Sequence, residues 1–435
     1  MKQELDQISP VVPPPVAKGS TIRWIVVGLL FFATTINYID RQVIGLLKPF
    51  IEKDLQWTEA DYGYIVTAFQ VAYAAGLLLS GRLLDTLGVR IGYTLAIIVW
   101  SVGAVLHAAV HSVVGFGVVR AVLGLGEAAN FPAAVKTVAE WFPKKERALA
   151  TGIFNSGSNV GAIVAPIIVV GITLSLSWKW AFIITGLLGF VWIVLWLLIY
   201  QPPEKHSRVS AKELRYILSD DEPTSDSPEG QGITWRSLFR YRQTYAICLT
   251  RLLTDWVWWF FLFWAPDFLN KTQHIDLKST VVPIIIIYTL ASVGGIFGGA
   301  LSSQLIKAGK SVDFSRKTAI LICATLVLPL MFATEVQNLW IVVIIIGFAT
   351  AAHQGWASNI FTIVSDIYPK RAVGTMVGLS GFTGAIGGAF AASFVGLVLE
   401  ISGSYTLIFV IASSMYLLAW AVLKIMVPQI KPIRY

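Results

Sequence analysis

Long runs without a charged side chain are the feature that most constrains this chain. Eight such runs occur, among them Ile91–Val119 and Ala148–Trp178, and four further apolar stretches are interrupted or edged by charge. A helix needs about 20 apolar residues to cross the roughly 30 Å hydrocarbon core of a bilayer. Only 13% of the 435 residues are charged, about half the share found in soluble domains. The sequence therefore predicts an all-α polytopic membrane protein with twelve transmembrane helices in the lipid bilayer.

The distribution of Lys and Arg predicts the orientation. Loops rich in Lys and Arg stay on the cytoplasmic side of a membrane. The loops after the odd-numbered spans hold five of these residues, three arginines lie inside spans, and the remaining 25 of the 33 fall in the tails and the even-numbered loops. Both termini are therefore expected in the cytoplasm, in a multi-pass protein of the cell (inner, cytoplasmic) membrane. The net charge of +8 has the same origin, so nucleic acid is not expected as a partner.

An internal repeat indicates two related halves. The tripeptide Phe-Pro-Lys at 142–144 is followed by glycines nine and eighteen residues after its proline, and Tyr-Pro-Lys at 368–370 is followed by glycines at the same two offsets. The two copies open spans five and eleven, as in a duplicated six-helix unit. The expected organisation is a cytoplasmic tail over 1–20, a six-helix bundle over 21–200, a cytoplasmic linker over 201–243, a second six-helix bundle over 244–427 and a tail over 428–435.

The loop after span two carries Gly81-Arg-Leu-Leu-Asp85-Thr-Leu-Gly88-Val-Arg90. This segment resembles the signature of the major facilitator superfamily, although an ordinary polar turn is the alternative. Gly81 allows close helix packing and Gly88 allows a tight turn. Asp85 can pair with basic groups or with a helix N-terminus in one conformation and release them in the other. A weaker second copy lies between Gly298 and Lys317, where Ser303 and Gln304 stand at the place expected for an acid.

Four charged residues lie within apolar spans. Asp40 and Arg41 follow sixteen uncharged residues in span one, and Arg120 and Glu127 are seven residues apart in span four. A charge inside the membrane costs about 2.5–3.5 kcal/mol on insertion scales unless it faces a cavity or a partner. Arginine offers a fork for a carboxylate, and a buried glutamate can bind and release a proton because burial disfavours its charged form. The alternative for Asp40 and Arg41 is a pair at the outer membrane interface. The alternative for Arg120 and Glu127 is a structural ion pair between helices, with Asp40 and Arg41 as partners. Glu127 can then attract either Arg120 or Arg41.

Polar and aromatic residues share faces in other spans, as suits a polyhydroxylated ligand, although each of them could instead be a packing residue. These are Gln70 and Tyr73 in span two, Asn155, Ser156 and Asn159 in span five, Asp255 among four tryptophans in span seven, and His353, Gln354, Trp356 and Asn359 in span ten. Cys248 and Cys323 lack metal-ligand spacing. The sequence also lacks a nucleophile–base pair, so we expect neither an enzyme nor a bound metal or cofactor.

Several longer segments resemble the anion:cation symporter family of the major facilitators. They are Asn-Tyr-Ile-Asp-Arg at 37–41, the stretches 120–132 and 140–147, and Phe-Asn-Ser-Gly-Ser-Asn at 154–159. In the second half, residues 251–266, 352–359 and 365–369 are similar to the bacterial hexuronate transporter branch. The resemblance covers roughly residues 20–430.

The resemblance implies three pairs of site residues: a proton-coupling pair, a pair that attracts or gates the substrate anion, and a pair that contacts the substrate. These are Asp40 with Glu127, Arg41 with Arg120, and Tyr38 with Tyr73. It also implies proton-coupled import of a hexuronate such as glucuronate or galacturonate, by alternating access of two bundles. We expect a monomer whose partners are the sugar acid, protons and lipid.

Two departures from the family pattern leave other sugar acids open. Trp256 follows Asp255 where a proline is common in the hexuronate branch, and Gly381 stands where an aldonate-transporting relative has asparagine. An aldonate or an aldarate is therefore the nearest alternative substrate. A non-transporting membrane sensor on the same scaffold is a further alternative, but such a sensor has no need of the intact acid pair.

Overall fold

The computed structural model describes residues 22–219, 235–273, 281–402 and 404–433, and their secondary structure is helical, without strands. The predicted tail over 1–20 and residues 220–234 of the predicted linker lie outside the described residues, as do the side chains of the motif at 263–266.

Eleven apolar segments in the described residues are long enough to cross a membrane, and the 32-residue helix α10 lies alongside them. The first half contains α1 (Ile22–Leu55), α2 (Glu59–Leu87), α3 (Val89–Leu106), α4 (Val113–Glu127), α5 (Asn130–Trp141), α6 (Lys144–Ser175) and α7 (Trp178–Ile199). Two short helices follow, α8 (Ala211–Ile217) and α9 (Trp235–Leu238). The second half contains α10 (Arg242–Gln273), α11 (Val281–Lys307), α12 (Val312–Val327), α13 (Leu339–Ile367), α14 (Lys370–Ser402) and α15 (Thr406–Met426).

The fourth span is made of two helices. α4 ends at Glu127 and α5 begins at Asn130, although Val113–Trp141 is one continuous apolar segment. Glu127 is therefore the last residue of a helix within the span, a break that the sequence analysis did not predict.

The same helix pairings recur in the two halves. In the first half, α1 packs against α6, α2 against α4 and α3 against α7. The equivalent pairs in the second half are α10 with α14, α11 with α13 and α12 with α15. Between the halves, α2 meets α14 and α6 meets α11. The arrangement is that of a duplicated six-helix unit.

Both ends of the described chain lie at the same end of the helices. At the start of α1, Arg23 Nε is 3.2 Å from Glu146 Oε2 at the start of α6. After α15, the backbone N–H of Ile433 donates to the carbonyl of Ile367 at the end of α13 (2.9 Å). Asp366, which precedes Ile367, has its Oδ1 3.6 Å from Nη1 of Arg147, which follows Glu146. We call this end the termini side and the opposite end the far side.

The backbones of the two halves touch at glycines near the termini side. A Cβ atom at Gly81 would collide with the carbonyl oxygen of Gly374, and one at Gly299 would collide with that of Ala148. Residues without large side chains let two helices approach this closely. The two contacts are equivalent by the repeat, since one joins α2 to α14 and the other joins α11 to α6.

Candidate functional site

A cavity of about 100 Å³ lies between the two halves. The first half lines it with Tyr38, Arg41, Tyr73, Leu77, Phe131, Asn155 and Ser158. The second half lines it with Arg251, Asp255, Trp258, Trp259, His353, Gln354, Ala357, Phe361, Val377, Gly381, Gly384 and Ala385. Aromatic rings, amides and charged groups therefore face one space from both sides, as expected of a site that binds a small polar molecule.

Arg41 is fixed at the wall of this cavity. Its Nε donates to Glu127 Oε2 (2.9 Å) and its Nη2 donates to Asn37 Oδ1 (3.3 Å). The guanidinium carbon lies 4.8 Å from the ring centre of Tyr38 and 4.7 Å from that of Tyr73. Cation–π contacts of this kind orient a guanidinium without neutralising it. The cavity therefore has a positioned cation whose counter-ion is Glu127.

Glu127 is fully buried behind Arg41. Its Oε2 accepts the hydrogen bond of Arg41, and its Oε1 has no hydrogen-bond partner in the described part of the chain. An unpartnered buried carboxylate oxygen is costly. Oε1 can therefore hold a proton without disturbing another contact.

Asp40 and Arg120 lie beside this pair but do not line the cavity. Both carboxylate oxygens of Asp40 are buried without a hydrogen-bond partner among the described residues. Arg120 Nη2 donates to the backbone carbonyl of Arg41 (2.5 Å), and its guanidinium lies 4.7 Å from the ring centre of Phe69. Within the described residues the ion pair of Glu127 is made by Arg41, and none joins Glu127 to Arg120.

An amide network joins the halves beside the cavity. Asn155 Nδ2 of α6 donates to Gln354 Oε1 of α13 (2.7 Å), and Gln354 Nε2 donates to Asn159 Oδ1 (3.3 Å). Next to it, His353 Nδ1 is 2.6 Å from the hydroxyl of Tyr416, and the imidazole stacks on Trp258 with ring centres 5.3 Å apart. Asn155, Gln354 and His353 line the cavity, whereas Asn159 lies behind it.

Trp356 and Asn359 lie in helix packing and do not line the cavity. Trp356 is 1% exposed and packs against the ring of Tyr416. Asn359 Nδ2 donates to the carbonyls of Gly298 and Gly355 (both 2.9 Å), which fixes α13 against α11. A substrate in the cavity therefore does not reach these two predicted contact residues in this structure.

A second ion pair lines the cavity. Asp255 was predicted as a possible ligand contact, but its pairing with Arg251 was not predicted. Arg251 Nε donates to Asp255 Oδ2 (2.8 Å), and Arg251 Nη2 lies 2.7 Å from the same oxygen. The guanidinium lies 4.8 Å from the ring centre of Phe361. The available signal was the spacing of four between opposite charges inside an apolar span, which places both on one helix face.

The predicted conformational motif lies at the junction of the halves on the termini side. Asp85 Oδ1 accepts from Lys136 Nζ (2.6 Å), and Asp85 Oδ2 accepts from the backbone N–H and the hydroxyl of Thr375 (both 2.6 Å). Asp85 therefore joins its own half to the second turn of α14 in the other half. Gly88 ends α2 with a φ of 77°, and Arg90 Nη2 donates to the carbonyl of Leu197 in the same half (2.8 Å).

The equivalent junction between α6 and α11 lacks an acid in the place of Asp85. Ser303 accepts from the backbone N–H of Leu149 (3.3 Å). Here arginines cross the junction instead. Arg316 Nη2 donates to the carbonyl of Lys144 (2.7 Å), and Arg147 Nη1 donates to the carbonyl of Ser365 (2.9 Å). Together the two junctions close the cavity toward the termini side.

The architecture and the motif agree with a comparison to known families, in which the Major Facilitator Superfamily matches residues 30–392. The chain belongs to the Major Facilitator Superfamily. Like the other members that it matches, it is a multi-pass membrane transporter and not an enzyme.

Its relatives include several sugar-acid carriers. The chain is 30% identical to the hexuronate transporter of Escherichia coli (strain K12) over 392 residues, which cover 90% of this chain and 91% of that protein. It is 33% identical to the galacturonate transporter of Dickeya chrysanthemi over 308 residues, covering 71% and 89%. It is 27% identical to the probable galactarate/D-glucarate transporter GarP of Escherichia coli (strain K12), covering 95% and 96%.

Solved structures share the fold. The proton:xylose symporter XylE superimposes with a TM-score of 0.75 at 15% identity, covering 94% of this chain and 97% of XylE. The Escherichia coli fucose:proton symporter FucP gives 0.67 at 15% identity, covering 93% and 99%. The predicted twelve-helix major facilitator fold is therefore confirmed.

Proposed function

We propose that this transporter imports a hexuronate, such as glucuronate or galacturonate, together with a proton. The observation that carries the proposal is the Arg41–Glu127 pair at the cavity wall, in which Arg41 faces the cavity and Glu127 has an unpartnered oxygen. The names of the relatives, which include hexuronate and galacturonate transporters, support a sugar acid as the substrate.

The pair suggests how a proton and an anion are loaded together. A proton on Glu127 removes its negative charge, so Arg41 is released to bind the carboxylate of the substrate. Arginine suits this role because its planar fork matches a carboxylate. Tyr38 and Tyr73 line the same part of the cavity and offer aromatic faces to the sugar ring. Asp40 and Arg120 lie behind Arg41, where they add to the charge balance of the pair.

Transport then proceeds by alternating access. We assign the termini side to the cytoplasm of a cell membrane because the tails and the loops on that side carry most of the Lys and Arg residues. The junctions made by Asp85, Arg147 and Arg316 then close the cavity toward the cytoplasm, so the substrate enters from the far side. Rocking of one half against the other breaks these contacts and releases the substrate inside.

Uptake of radiolabelled sugar acids into proteoliposomes, with and without an imposed pH gradient, tests this proposal. We expect glucuronate or galacturonate to accumulate only with an inwardly directed proton gradient. Glucose should compete poorly, because a site built to bind a polar group strongly rejects an analogue that lacks it. Equal competition by glucose and glucuronate would identify a carrier of neutral sugars instead, and uptake that ignores the gradient would refute proton coupling.

An aldonate or an aldarate is the second candidate substrate. Relatives named as a D-galactonate transporter and as probable galactarate/D-glucarate transporters match most of this chain. The uptake panel therefore includes galactonate, glucarate and galactarate, and the sugar acid that accumulates to the highest level identifies the substrate.

A further inference from the structure

We propose that Arg251 and Asp255 form a second binding subsite in the cavity, which takes a hydroxyl-bearing end of the sugar acid and excludes a second carboxylate. This inference rests on the proposed function, since it concerns the same cavity and the same class of substrate. It assigns a selectivity for sugar acids with one carboxylate over those with two.

The subsite is formed where α10 faces α14. Arg251 Nε and Nη2 both approach the same oxygen of Asp255, Oδ2 (2.8 and 2.7 Å), which leaves the other carboxylate oxygen outside the ion pair. Glycines of α14 leave space for the pair. A Cβ atom at Gly384 would lie 2.9 Å from Asp255 Cγ, and one at Gly381 would lie 3.5 Å from Arg251 Nη1. The pair therefore packs closely against α14, and both side chains line the cavity.

This pair differs from Arg41–Glu127 in how firmly it stays together. Arg41 and Glu127 come from different helices, and the side chain of Glu127 is 0% exposed. Arg251 and Asp255 are one turn apart on the same helix, and their side chains are 15% and 19% exposed to the cavity. A movement of one helix against another can separate the first pair, whereas the second moves as a unit.

A paired Arg251–Asp255 presents one donor group and one acceptor group with little net charge. A sugar hydroxyl both donates and accepts, so it can bind to both members. A carboxylate only accepts, and it meets the negative charge of Asp255 at close range, where like charges are unfavourable. Since Asp255 already neutralises the charge of Arg251, Arg251 cannot offset the negative charge of a second substrate carboxylate. Phe361, whose ring lies against the Arg251 guanidinium, provides an apolar face for the adjoining carbons.

Binding of matched ligand pairs to the purified full-length protein tests the subsite. One pair is glucuronate and glucarate, and the other is galactonate and galactarate; the second member of each has the additional carboxylate. We expect the wild type to bind the one-carboxylate member at least about tenfold more tightly in both pairs. The ratio within a pair is the readout, because a general loss of affinity or of folded protein affects both members alike.

Two variants change the charge of the subsite in opposite directions. Asp255→Asn leaves Arg251 without its counter-ion, so the preference for one carboxylate should fall by at least about tenfold or reverse. Arg251→Gln leaves the negative charge of Asp255 without a counter-ion, so the preference for ligands with one carboxylate should increase. Glu52→Gln is the matched control, because Glu52 forms a four-residue-spaced pair with Lys48 (3.0 Å) outside the cavity. Its ratios should equal those of the wild type.

The inference is overturned if the wild type binds both members of a pair equally, or if Asp255→Asn and Arg251→Gln leave the ratios unchanged. The proposal that the substrate is a hexuronate can be refuted independently of the Arg251–Asp255 subsite. A protein that binds galactonate but not glucuronate refutes the hexuronate, while the galactonate–galactarate ratio still decides the role of Asp255. A protein that binds none of the four ligands overturns both proposals.

Discussion

Arg41 makes several contacts, through both its side chain and its backbone. Its guanidinium pairs with Glu127 and lies against the rings of Tyr38 and Tyr73, and its backbone carbonyl accepts a hydrogen bond from Arg120. The aromatic contacts and the backbone contact do not depend on the charge of Glu127. In the proposed coupling, Arg41 therefore stays in position when a proton neutralises Glu127, and the carboxyl group is the switch of the pair.

The first prediction concerns Glu127→Gln. The amide keeps the size of the side chain but cannot take up and release a proton, so accumulation driven by a pH gradient should be lost. Counterflow exchange of labelled against unlabelled substrate should persist, because exchange requires no net proton release. Both are measured in the same proteoliposomes, with Glu52→Gln as the surface control. Normal pH-driven accumulation in Glu127→Gln would contradict the proton-coupling assignment.

Sequence reasoning identified the intramembrane charges but left open whether Arg120 or Arg41 pairs with Glu127. The spacing of seven predicts that Arg120 and Glu127 share a helix face, yet α1 inserts Arg41 as the partner of Glu127. Helical periodicity gives the direction of a side chain and not which neighbouring helix meets it. For the same reason it could not separate His353, at the cavity, from Trp356 and Asn359, in the packing of α13.

At the scale of helices, the two junctions between the halves use the same backbone contact and different polar contacts. Gly81 and Gly299 occupy equivalent places, and so do Asp85 and Ser303. The sequence predicted a weaker second copy of the motif, with either Ser303 or Gln304 at the position equivalent to Asp85. The structure identifies Ser303 as the residue in that place, because it accepts from α6 as Asp85 accepts from α14.

The second prediction concerns Gly299→Ala in α11. The added methyl group meets the carbonyl of Ala148, which belongs to the backbone and cannot turn away. Overpacking of this kind costs about 1–3 kcal/mol, so the closed junction should open more often. In a protein whose Cys248 and Cys323 are replaced by serine, a cysteine introduced at Ser365 should react with a maleimide about tenfold faster.

The control for this variant is Gly171→Ala in α6. A Cβ atom at Gly171 has no atom within 4 Å, so the labelling rate of the introduced cysteine should not change. Equal labelling rates in Gly299→Ala and in the unsubstituted background would show that the glycine contact does not limit opening.

For the whole molecule, the proposed coupling makes proton and substrate binding depend on each other. The charged groups near Glu127 are Arg41 and Asp40 of α1 and Arg120 of α4. If the protonated form of Glu127 is the one that releases Arg41, the protonated protein binds the anion more tightly. Linkage then requires that substrate binding also favours proton uptake by the same factor.

The third prediction follows from this linkage. Substrate affinity should increase as the pH falls, because protonation of Glu127 precedes or accompanies binding of the carboxylate. Isothermal titration of the purified protein across about pH 5 to 8 measures it, and Glu127→Gln should lose the pH dependence. An affinity that stays constant across this range in the wild type would separate the two sites and refute the mechanism.

Much of the whole-molecule architecture could be predicted from the sequence. Charge-free runs predict membrane helices because the bilayer excludes unpaired charge. The repeated Pro-Lys and glycine pattern indicates the duplication of the six-helix unit. The break between α4 and α5 has a signal that the sequence analysis did not use. Pro132 has no N–H to donate to the carbonyl of Ala128, and its ring would clash with that carbonyl in an uninterrupted helix. Asp255 was recognised as a possible ligand contact, but its pairing with Arg251 was not, because a pair of opposite charges is equally compatible with structure and with binding.

The glycine contacts between the halves have a consequence for evolution. Peptide groups form the closest approach of α2 to α14 and of α11 to α6, and every sequence has the same peptide groups. Substitutions in the cavity can therefore accumulate without altering the surfaces on which the two halves meet. A lineage that keeps small residues at these few positions can exchange one nutrient for another while the moving parts remain the same.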